Sequence, residues 1–187
     1  MASPSTPEPA TELRLPGSAL VLLVGVSGGG KSTFAARWFA PSQVLSSDAL
    51  RAMVADDPND QSATDAAFEL LHTTVSLRLA RGRLTVVDAT NVERWARGRL
   101  LALARRFSRP ACAIVFALPV EVALARNLLR ADRRLPPAAI RRQQRWLEGS
   151  LATLGEEGFS PIWVLRSVEA VEAARVVAPP VGGALPA

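Results

Sequence analysis

The most informative segment of the chain is Val21-Leu22-Leu23-Val24-Gly25-Val26-Ser27-Gly28-Gly29-Gly30-Lys31-Ser32-Thr33. It combines an apolar run, a glycine-rich turn and a helical pattern that opens on Lys-Ser. Glycines five positions apart, followed by Lys and then Ser or Thr, are the pattern of a phosphate-binding loop. The glycines lack Cβ atoms, so the backbone can curl until several N–H groups point at one anion. The stretch therefore predicts a buried strand, a nucleotide-phosphate site and a helix.

Two side chains of this loop carry specific expectations. Lys31 can reach the β- and γ-phosphates, and the Ser32 hydroxyl can ligate Mg²⁺. Lys31 is the only lysine in the chain, at a position where a compact ammonium suits a phosphate site better than a planar guanidinium. The alternative, a glycine-rich turn without a ligand, is disfavoured by the strand and helix patterns on either side. The predicted nucleotide contacts are Gly25, Ser27, Gly28, Gly29, Gly30, Lys31, Ser32 and Thr33.

Composition sets the class of protein. A chain of 187 residues with 49% hydrophobic and 21% charged residues fits one globular α/β domain. The net charge of +5 favours an anionic partner. The single cysteine, Cys112, excludes an internal disulfide and fits a reducing compartment. Since the chain shows neither a signal-peptide pattern nor a run of apolar residues long enough for a membrane helix, we expect a cytoplasmic protein without membrane contact.

The order of patterns along the chain predicts the architecture. Apolar strand patterns at 18–24, 44–48, 84–88, 111–118 and 162–165 alternate with helical patterns. Such alternation indicates a central parallel sheet flanked by helices. We expect residues 1–16 to be a disordered tail, 17–177 the domain, and 178–187 a linker-like tail.

Two acidic residues follow strands directly. Asp48 and Asp88 should meet the phosphate-binding loop, because ligands of parallel sheets lie at the carboxyl ends of the strands. Asp88 can orient Mg²⁺, with contact through water favoured over direct contact, or it can cap the next helix. Asp48 can take a proton from an attacking hydroxyl while Arg51, on the same helical face, holds it or grips a phosphate. The alternative is a capping aspartate beside a surface arginine.

Arginine is concentrated between residues 126 and 145, which carry seven arginines. Arg126 and Arg130 share a helix face just before a Pro-Pro break. Such residues fit a lid that closes over ATP and stabilises the charge of the transferring group. The alternative is a solvated basic face. We expect His72 and Cys112 to be structural and most tryptophans to pack in the interior, although Trp146 beside the basic helix has the chemistry to meet a base. Thr90 and Asn91 are expected to be helix caps.

The ordered set of motifs resembles one family closely. Residues 25–35, 44–51, 56–61, 84–92 and 125–133 are similar to the N-terminal 5′-OH polynucleotide kinase module of bacterial polynucleotide kinase–phosphatase, an RNA end-repair enzyme. Gly29 departs from the family loop, which often has Ser there. The resemblance implies an adenylate-kinase-like P-loop phosphotransferase fold with an arginine-bearing lid. It also implies that the chain is one module of a longer kinase–phosphatase–ligase polypeptide.

The resemblance further implies a reaction and a set of roles. The reaction is transfer of the γ-phosphate of ATP, with Mg²⁺, to the 5′-OH end of RNA or DNA. Asp48 matches the general base, and Arg51 the arginine beside it that contacts the acceptor phosphate. Arg126 and Arg130 match the lid arginines on the ATP phosphates, with Arg133 as a lid or acceptor contact. Two alternatives stay open: a small-molecule kinase of the gluconate or shikimate type, and a nucleotide-gated binding module.

Overall fold

A computed structural model describes residues 11–130 and 134–178. Seven strands lie at Glu12–Arg14 (β1), Leu20–Gly25 (β2), Val44–Ser46 (β3), Thr85–Asp88 (β4), Ala111–Phe116 (β5), Ile162–Leu165 (β6) and Arg175–Val177 (β7). The helices are Lys31–Trp38 (α1), Ser47–Ala55 (α2), Thr64–Ala80 (α3), Arg94–Arg106 (α4), Val120–Leu129 (α5), Pro137–Leu151 (α6), Leu154–Glu157 (α7) and Val168–Ala173 (α8). Short 3₁₀ turns lie at Pro41–Gln43 and Gln61–Ala63.

The central sheet has five parallel strands in the order β3-β4-β2-β5-β6. Its middle strand β2 leads into the phosphate-binding loop, and every residue of β2 and β5 is buried. Buried residues of the sheet belong to two hydrophobic clusters, and helices supply the other members of each cluster. The predicted fold class, a parallel sheet flanked by helices, is confirmed.

The sheet register brings the predicted site together. Leu23 of β2 is level with Asp88 at the end of β4, which is level with Ser46 at the end of β3. The carboxyl ends of β2, β3 and β4 therefore open on one edge, where the loop, Asp48 and Asp88 follow. The strand pattern was predicted to run to Asp48, with a helical stretch starting at that residue; the helix α2 starts one residue earlier, at Ser47, because the Ser46 side chain caps it by accepting from Ala49 N.

Two short strands lie outside the sequence-based expectations. Glu12–Arg14 pairs in parallel with Arg175–Val177. Leu13 is fully buried in the same cluster as Val21 and Phe116. Part of the segment predicted as a disordered tail is thus a strand, because the Pro-, Ser- and Thr-rich composition conceals one apolar anchor. No helix in the described residues is long and apolar enough to cross a membrane.

Candidate active site

The phosphate-binding loop needs glycine at two positions. Gly28 has φ of +81° and Gly30 has φ of +93°, values that favour glycine. A Cβ on Gly28 would lie 2.7 Å from the Ala123 carbonyl oxygen of α5, and one on Gly30 would lie 3.1 Å from Arg126 Nη1. Because α5 packs directly on the loop, the two glycines serve two purposes. They allow the backbone of the loop to adopt positive φ values, and they leave space for the atoms of α5.

Lys31 is folded back on the loop. Its Nζ donates to the carbonyl oxygens of Gly25 at 2.9 Å and Val26 at 2.8 Å, and the residue is buried. Burial lowers the pKa of Lys31 from its usual value to about 8, against the opposing charges of Asp88 and Asp48. A phosphate in the loop would add negative charge beside this amine. The side chain is therefore placed to exchange carbonyl contacts for phosphate contacts.

Ser32 and Asp88 form a hydrogen-bonded pair at the start of α1 and the end of β4. The Ser32 hydroxyl donates to the Asp88 carboxylate. Asp88 is only 5% exposed, and burial raises its pKa although Ser32 and the charge of Lys31 act in the opposite direction.

The pair suits Mg²⁺, which prefers oxygen ligands and is bound in nucleotide sites by one or two carboxylates together with phosphates. No group of three or more His, Cys, Asp or Glu residues that could hold a metal occurs in the described ranges. A metal here would therefore depend on this hydroxyl, this carboxylate and the bound nucleotide.

Asp48 and Arg51 stand one turn apart at the start of α2. Arg51 Nη1 donates to Asp48 Oδ1 at 2.7 Å and to the Pro58 carbonyl at 2.7 Å. The Arg51 side chain is 7% exposed and that of Asp48 is 42% exposed. Arg51 Nε is buried with no partner among the described residues. The alternative of a surface arginine is wrong, because Arg51 is buried and its guanidinium holds the accessible carboxylate of Asp48.

Two of the predicted lid arginines face the loop. Arg126 Nη1 lies 3.5 Å from the Gly28 carbonyl oxygen, and both Arg126 and Arg130 line the same cleft as Lys31. The charge of Arg130 also acts on Lys31, lowering its pKa. Arg133 lies outside the described residues. Asn127 fixes the chain on either side of residues 131–133, because its amide both donates to Leu135 O and accepts from Leu135 N, each at 2.9 Å.

All of these groups open on one cleft of about 1440 Å³. The cleft is lined by the loop and by residues of α2, α3, α4, α5, α6 and α8. Two accessible tryptophans are among them: Trp95 is 65% exposed and Trp146 is 40% exposed. The Arg142 guanidinium lies 5.2 Å from the centre of the Trp146 ring. Most of the tryptophans were expected to pack in the interior; Trp95, the second residue of α4, lines the cleft instead.

A buried ion pair supports the loop that follows Asp88. Arg97, fully buried in α4, binds the Glu157 carboxylate through two hydrogen bonds of 2.8 and 2.6 Å and donates to Asn91 O at 2.9 Å. Asn91 in turn donates to Leu23 O at 2.8 Å. Asn91 was expected to cap a helix, but α4 begins at Arg94, and Asn91 ties the β4 loop to β2 instead.

Cys112 and His72 were both expected to be structural. Cys112 is fully buried in β5, and burial raises the pKa of its thiol to about 11, so it is no nucleophile. His72 packs beside Phe68 and lines the cleft wall. Partial burial and the nearby charge of Arg99 lower the pKa of its imidazole.

Comparison with known families identifies the class. The family model AAA_33, described as an AAA domain, matches residues 20–150. The chain belongs to this family, and its five-stranded sheet and loop are those of P-loop kinases. Such a fold implies binding of ATP or another nucleotide together with a metal ion.

Solved structures share the fold at low identity. One chain of the Pnkp1/Rnl/Hen1 RNA repair complex is 22% identical, with a TM-score of 0.62 over 82% of this chain and 49% of that one. The chain thus spans about half the length of that relative. A gluconokinase from Sinorhizobium meliloti 1021 is 19% identical, with a TM-score of 0.51 over 85% of this chain and 93% of that one.

A third structure, Chaetomium thermophilum Kti12 in complex with ADP-AlF3, is 20% identical, with a TM-score of 0.54 over 79% of this chain and 88% of that one. These three similarities establish the fold and leave the acceptor open. Among curated proteins, none matches this sequence.

Proposed function

We propose that the protein is an ATP-dependent 5′-OH polynucleotide kinase that phosphorylates RNA or DNA ends. The observation that carries the proposal is the pair of Asp48 and Arg51 on the cleft that also contains Lys31. An accessible carboxylate held by a buried arginine is suited to receive a proton from a hydroxyl beside bound phosphate.

The donor side of the reaction uses the phosphate-binding loop. Its backbone N–H groups, with Ser27 and Thr33 at either end, hold the phosphates of ATP, and Lys31 contacts the β- and γ-phosphates. Ser32 would hold Mg²⁺, and Asp88 would orient the metal through water. When bound, the metal neutralises charge on the β- and γ-phosphates.

The acceptor side is organised by α2. Asp48 accepts the proton of the 5′-hydroxyl as its oxygen forms a bond to the γ-phosphorus. The bond between that phosphorus and the β–γ bridging oxygen breaks, and ADP leaves with the electron pair. Arg51 fixes the Asp48 carboxylate, and its guanidinium, which lines the cleft, contacts the first phosphate of the acceptor strand.

The lid arginines act on the transferring group. Arg126 already lies over the loop, and Arg130 is close enough to influence Lys31. Both are proposed to stabilise negative charge as the γ-phosphoryl group moves, with Arg133 serving as a further lid or acceptor contact. A basic residue in this role contributes a factor of roughly 10³–10⁵ to the rate in related phosphoryl transfers.

The chemistry of the cleft favours a strand over a small polyol. The cleft of about 1440 Å³ contains the loop and lid residues as well as Asp48, so it has room for both ATP and an acceptor. Trp95 and Trp146 offer exposed aromatic faces, which stack on bases, and Arg99 and Arg142 offer charges for phosphates. The similarity to a chain of an RNA repair complex also supports a nucleic-acid acceptor. We include in this proposal that the chain is part of a longer repair polypeptide.

The test is a competition among acceptors. The protein is incubated with γ-labelled ATP, Mg²⁺ and a 5′-OH oligonucleotide, with gluconate and shikimate present in excess. We expect label on the oligonucleotide, and none on a matched oligonucleotide that already carries a 5′-phosphate. Label on gluconate or shikimate alone would replace the proposal with a small-molecule kinase. ATP binding without transfer to any of these acceptors would contradict it in favour of a binding module.

A further inference from the structure

Gln143 of α6 is hydrogen-bonded to the backbone of the phosphate-binding loop. Its Oε1 accepts a hydrogen bond from Ser27 N at 2.9 Å, across 116 positions of sequence. Because the partner is a backbone donor, the oxygen of the amide must face it, which fixes the orientation of the Gln143 side chain. An amide oxygen thus stands where the loop would present an N–H group to a phosphate oxygen.

The path of α6 connects Gln143 with the side of the cleft that carries Asp48 and Asp88. Three residues beyond Gln143, Trp146 lines the cleft, and Ser150 then donates to Val92 O at 2.9 Å. Val92 follows β4, so α6 crosses the loop toward the side of the sheet that carries Asp48 and Asp88. Arg126 approaches the loop from α5 instead. Gln143 and Arg126 therefore reach the loop from different helices, and Gln143 belongs to the helix that continues toward the acceptor-side residues.

We propose that Gln143 binds the γ-phosphate of ATP and distinguishes ATP from ADP. In the nucleotide-free protein its oxygen satisfies Ser27 N–H; when ATP is bound, a γ-phosphate oxygen takes that donor and the Gln143 amide N–H group donates to the same phosphoryl group. The inference rests on the proposed function only in taking ATP as the donor. It needs no particular acceptor.

This exchange of hydrogen bonds predicts that the loss of Gln143 affects ATP binding and ADP binding differently. ADP leaves the outer end of the loop empty, so Gln143 can keep its bond to Ser27 and its loss should leave ADP affinity unchanged. ATP gains a bond between the amide and a charged oxygen, which is stronger than the neutral bond it replaces. Replacing Gln143 with alanine should therefore weaken ATP binding by about three- to ten-fold.

The chain provides a matched control. Gln144 is the next residue of α6, but its Nε2 donates to Glu148 Oε1 at 3.1 Å and it lines a separate, smaller cavity. Gln144→Ala removes the same atoms from the same helix without touching the loop. Gln143→Glu is a second probe, because a carboxylate would repel the γ-phosphate and lower ATP affinity more than alanine does.

The experiment measures dissociation constants for β,γ-imido-ATP and ADP, each with Mg²⁺, on the full chain by calorimetry. We expect the ratio of ATP-analogue to ADP affinity to fall in Gln143→Ala, to fall further in Gln143→Glu, and to stay at the parental value in Gln144→Ala. An unchanged ratio in Gln143→Ala, whether both affinities are parental or both drop equally, would overturn the inference. Failure of oligonucleotide phosphorylation by the parental protein would contradict the proposed acceptor and leave this ratio measurable.

Discussion

Arg51 Nη1 lies 2.7 Å from Asp48 Oδ1, and the same nitrogen lies 2.7 Å from the carbonyl oxygen of Pro58. One guanidinium thus joins the helix that carries the candidate base to the loop that follows it. The carboxylate is held at the cleft while 42% of its side-chain surface stays accessible. ATP binding is assigned to the phosphate-binding loop and proton removal to α2. Substitutions in these two places can therefore test the two functions independently.

Arg51→Lys should impair transfer and spare nucleotide binding. A lysine ammonium lacks the planar geometry that lets Arg51 reach Asp48, Pro58 and an acceptor phosphate together. Losing a hydrogen bond to a charged group costs about 1.5–3 kcal/mol, so the transfer rate should fall about 10- to 100-fold. Steady-state labelling and ATP calorimetry on the same variant check this. An equal loss in ATP affinity would show that Arg51 serves the donor instead.

ATP affinity should fall as the pH rises above about 8. Lys31 has a pKa near 8 in the free protein because of its burial, and bound phosphate raises that value. Below this pH the amine is already charged; above it, ATP binding must take up a proton, so affinity declines by up to about tenfold per pH unit. The same shift means that the unfolded chain binds the proton more tightly, so the stability of the nucleotide-free protein rises between pH 8 and pH 10.5, the ordinary pKa of a lysine side chain.

Calorimetry of ATP binding between pH 7.5 and 9.5, in buffers of different ionisation enthalpy, measures this proton uptake directly. Lys31→Arg supplies the control, because a guanidinium stays charged throughout this range. Proton uptake of equal size in both proteins would assign the effect to another group.

Gly28→Ala should damage the loop locally. The new Cβ would lie 2.7 Å from the Ala123 carbonyl in a conformation with φ of +81°. Such strain costs about 1–3 kcal/mol of stability, and ATP binding should weaken as the loop and α5 move apart. Gly98→Ala is the matched control: apart from its chain neighbours and its own helix backbone, nothing lies within 4 Å of the added Cβ, and alanine in a helix interior adds about 0.5–1 kcal/mol. Denaturant unfolding that ranks the two variants in the reverse order would refute this explanation.

The buried Arg97–Glu157 pair should be important for stability. The two side chains are 0% and 3% exposed, so Glu157→Ala leaves an unpaired charge in the interior. Breaking a buried pair in this way costs about 3–5 kcal/mol. The neighbouring exposed residue provides the comparison, since Glu156→Ala should change stability by no more than about 0.5 kcal/mol. Equal unfolding midpoints for the two variants would show that the pair contributes nothing net.

Local patterns were sufficient to predict the loop and both aspartates. The glycines, Lys31 and Ser32 are identified by spacing, and Asp48 and Asp88 by their position directly after apolar runs. These signals are local, and a parallel sheet places the residues that directly follow its strands at one edge. The end of β3 was predicted less accurately. Ser46 caps α2, so the strand ends earlier than the sequence pattern indicates.

The remaining parts depend on contacts between distant positions. Gln143 meets Ser27 only because α6 crosses the loop, and no pattern around either residue reports that crossing. Arg97 looks like any other arginine of a basic helix, yet it is fully buried against Glu157. Leu13 anchors a strand inside a segment whose composition is typical of disorder. In each case the partner lies far along the chain, so periodicity and composition carry no signal.

Asp48 is proposed to remove the proton from a 5′-hydroxyl end. The decisive measurement is the rate of label transfer from γ-labelled ATP to a 5′-OH oligonucleotide by Asp48→Ala, at saturating ATP and alongside the parental protein. We predict parental affinity for ATP and a transfer rate lower by about 10²–10⁴-fold, the range for loss of a general base. Transfer at the parental rate would contradict the account.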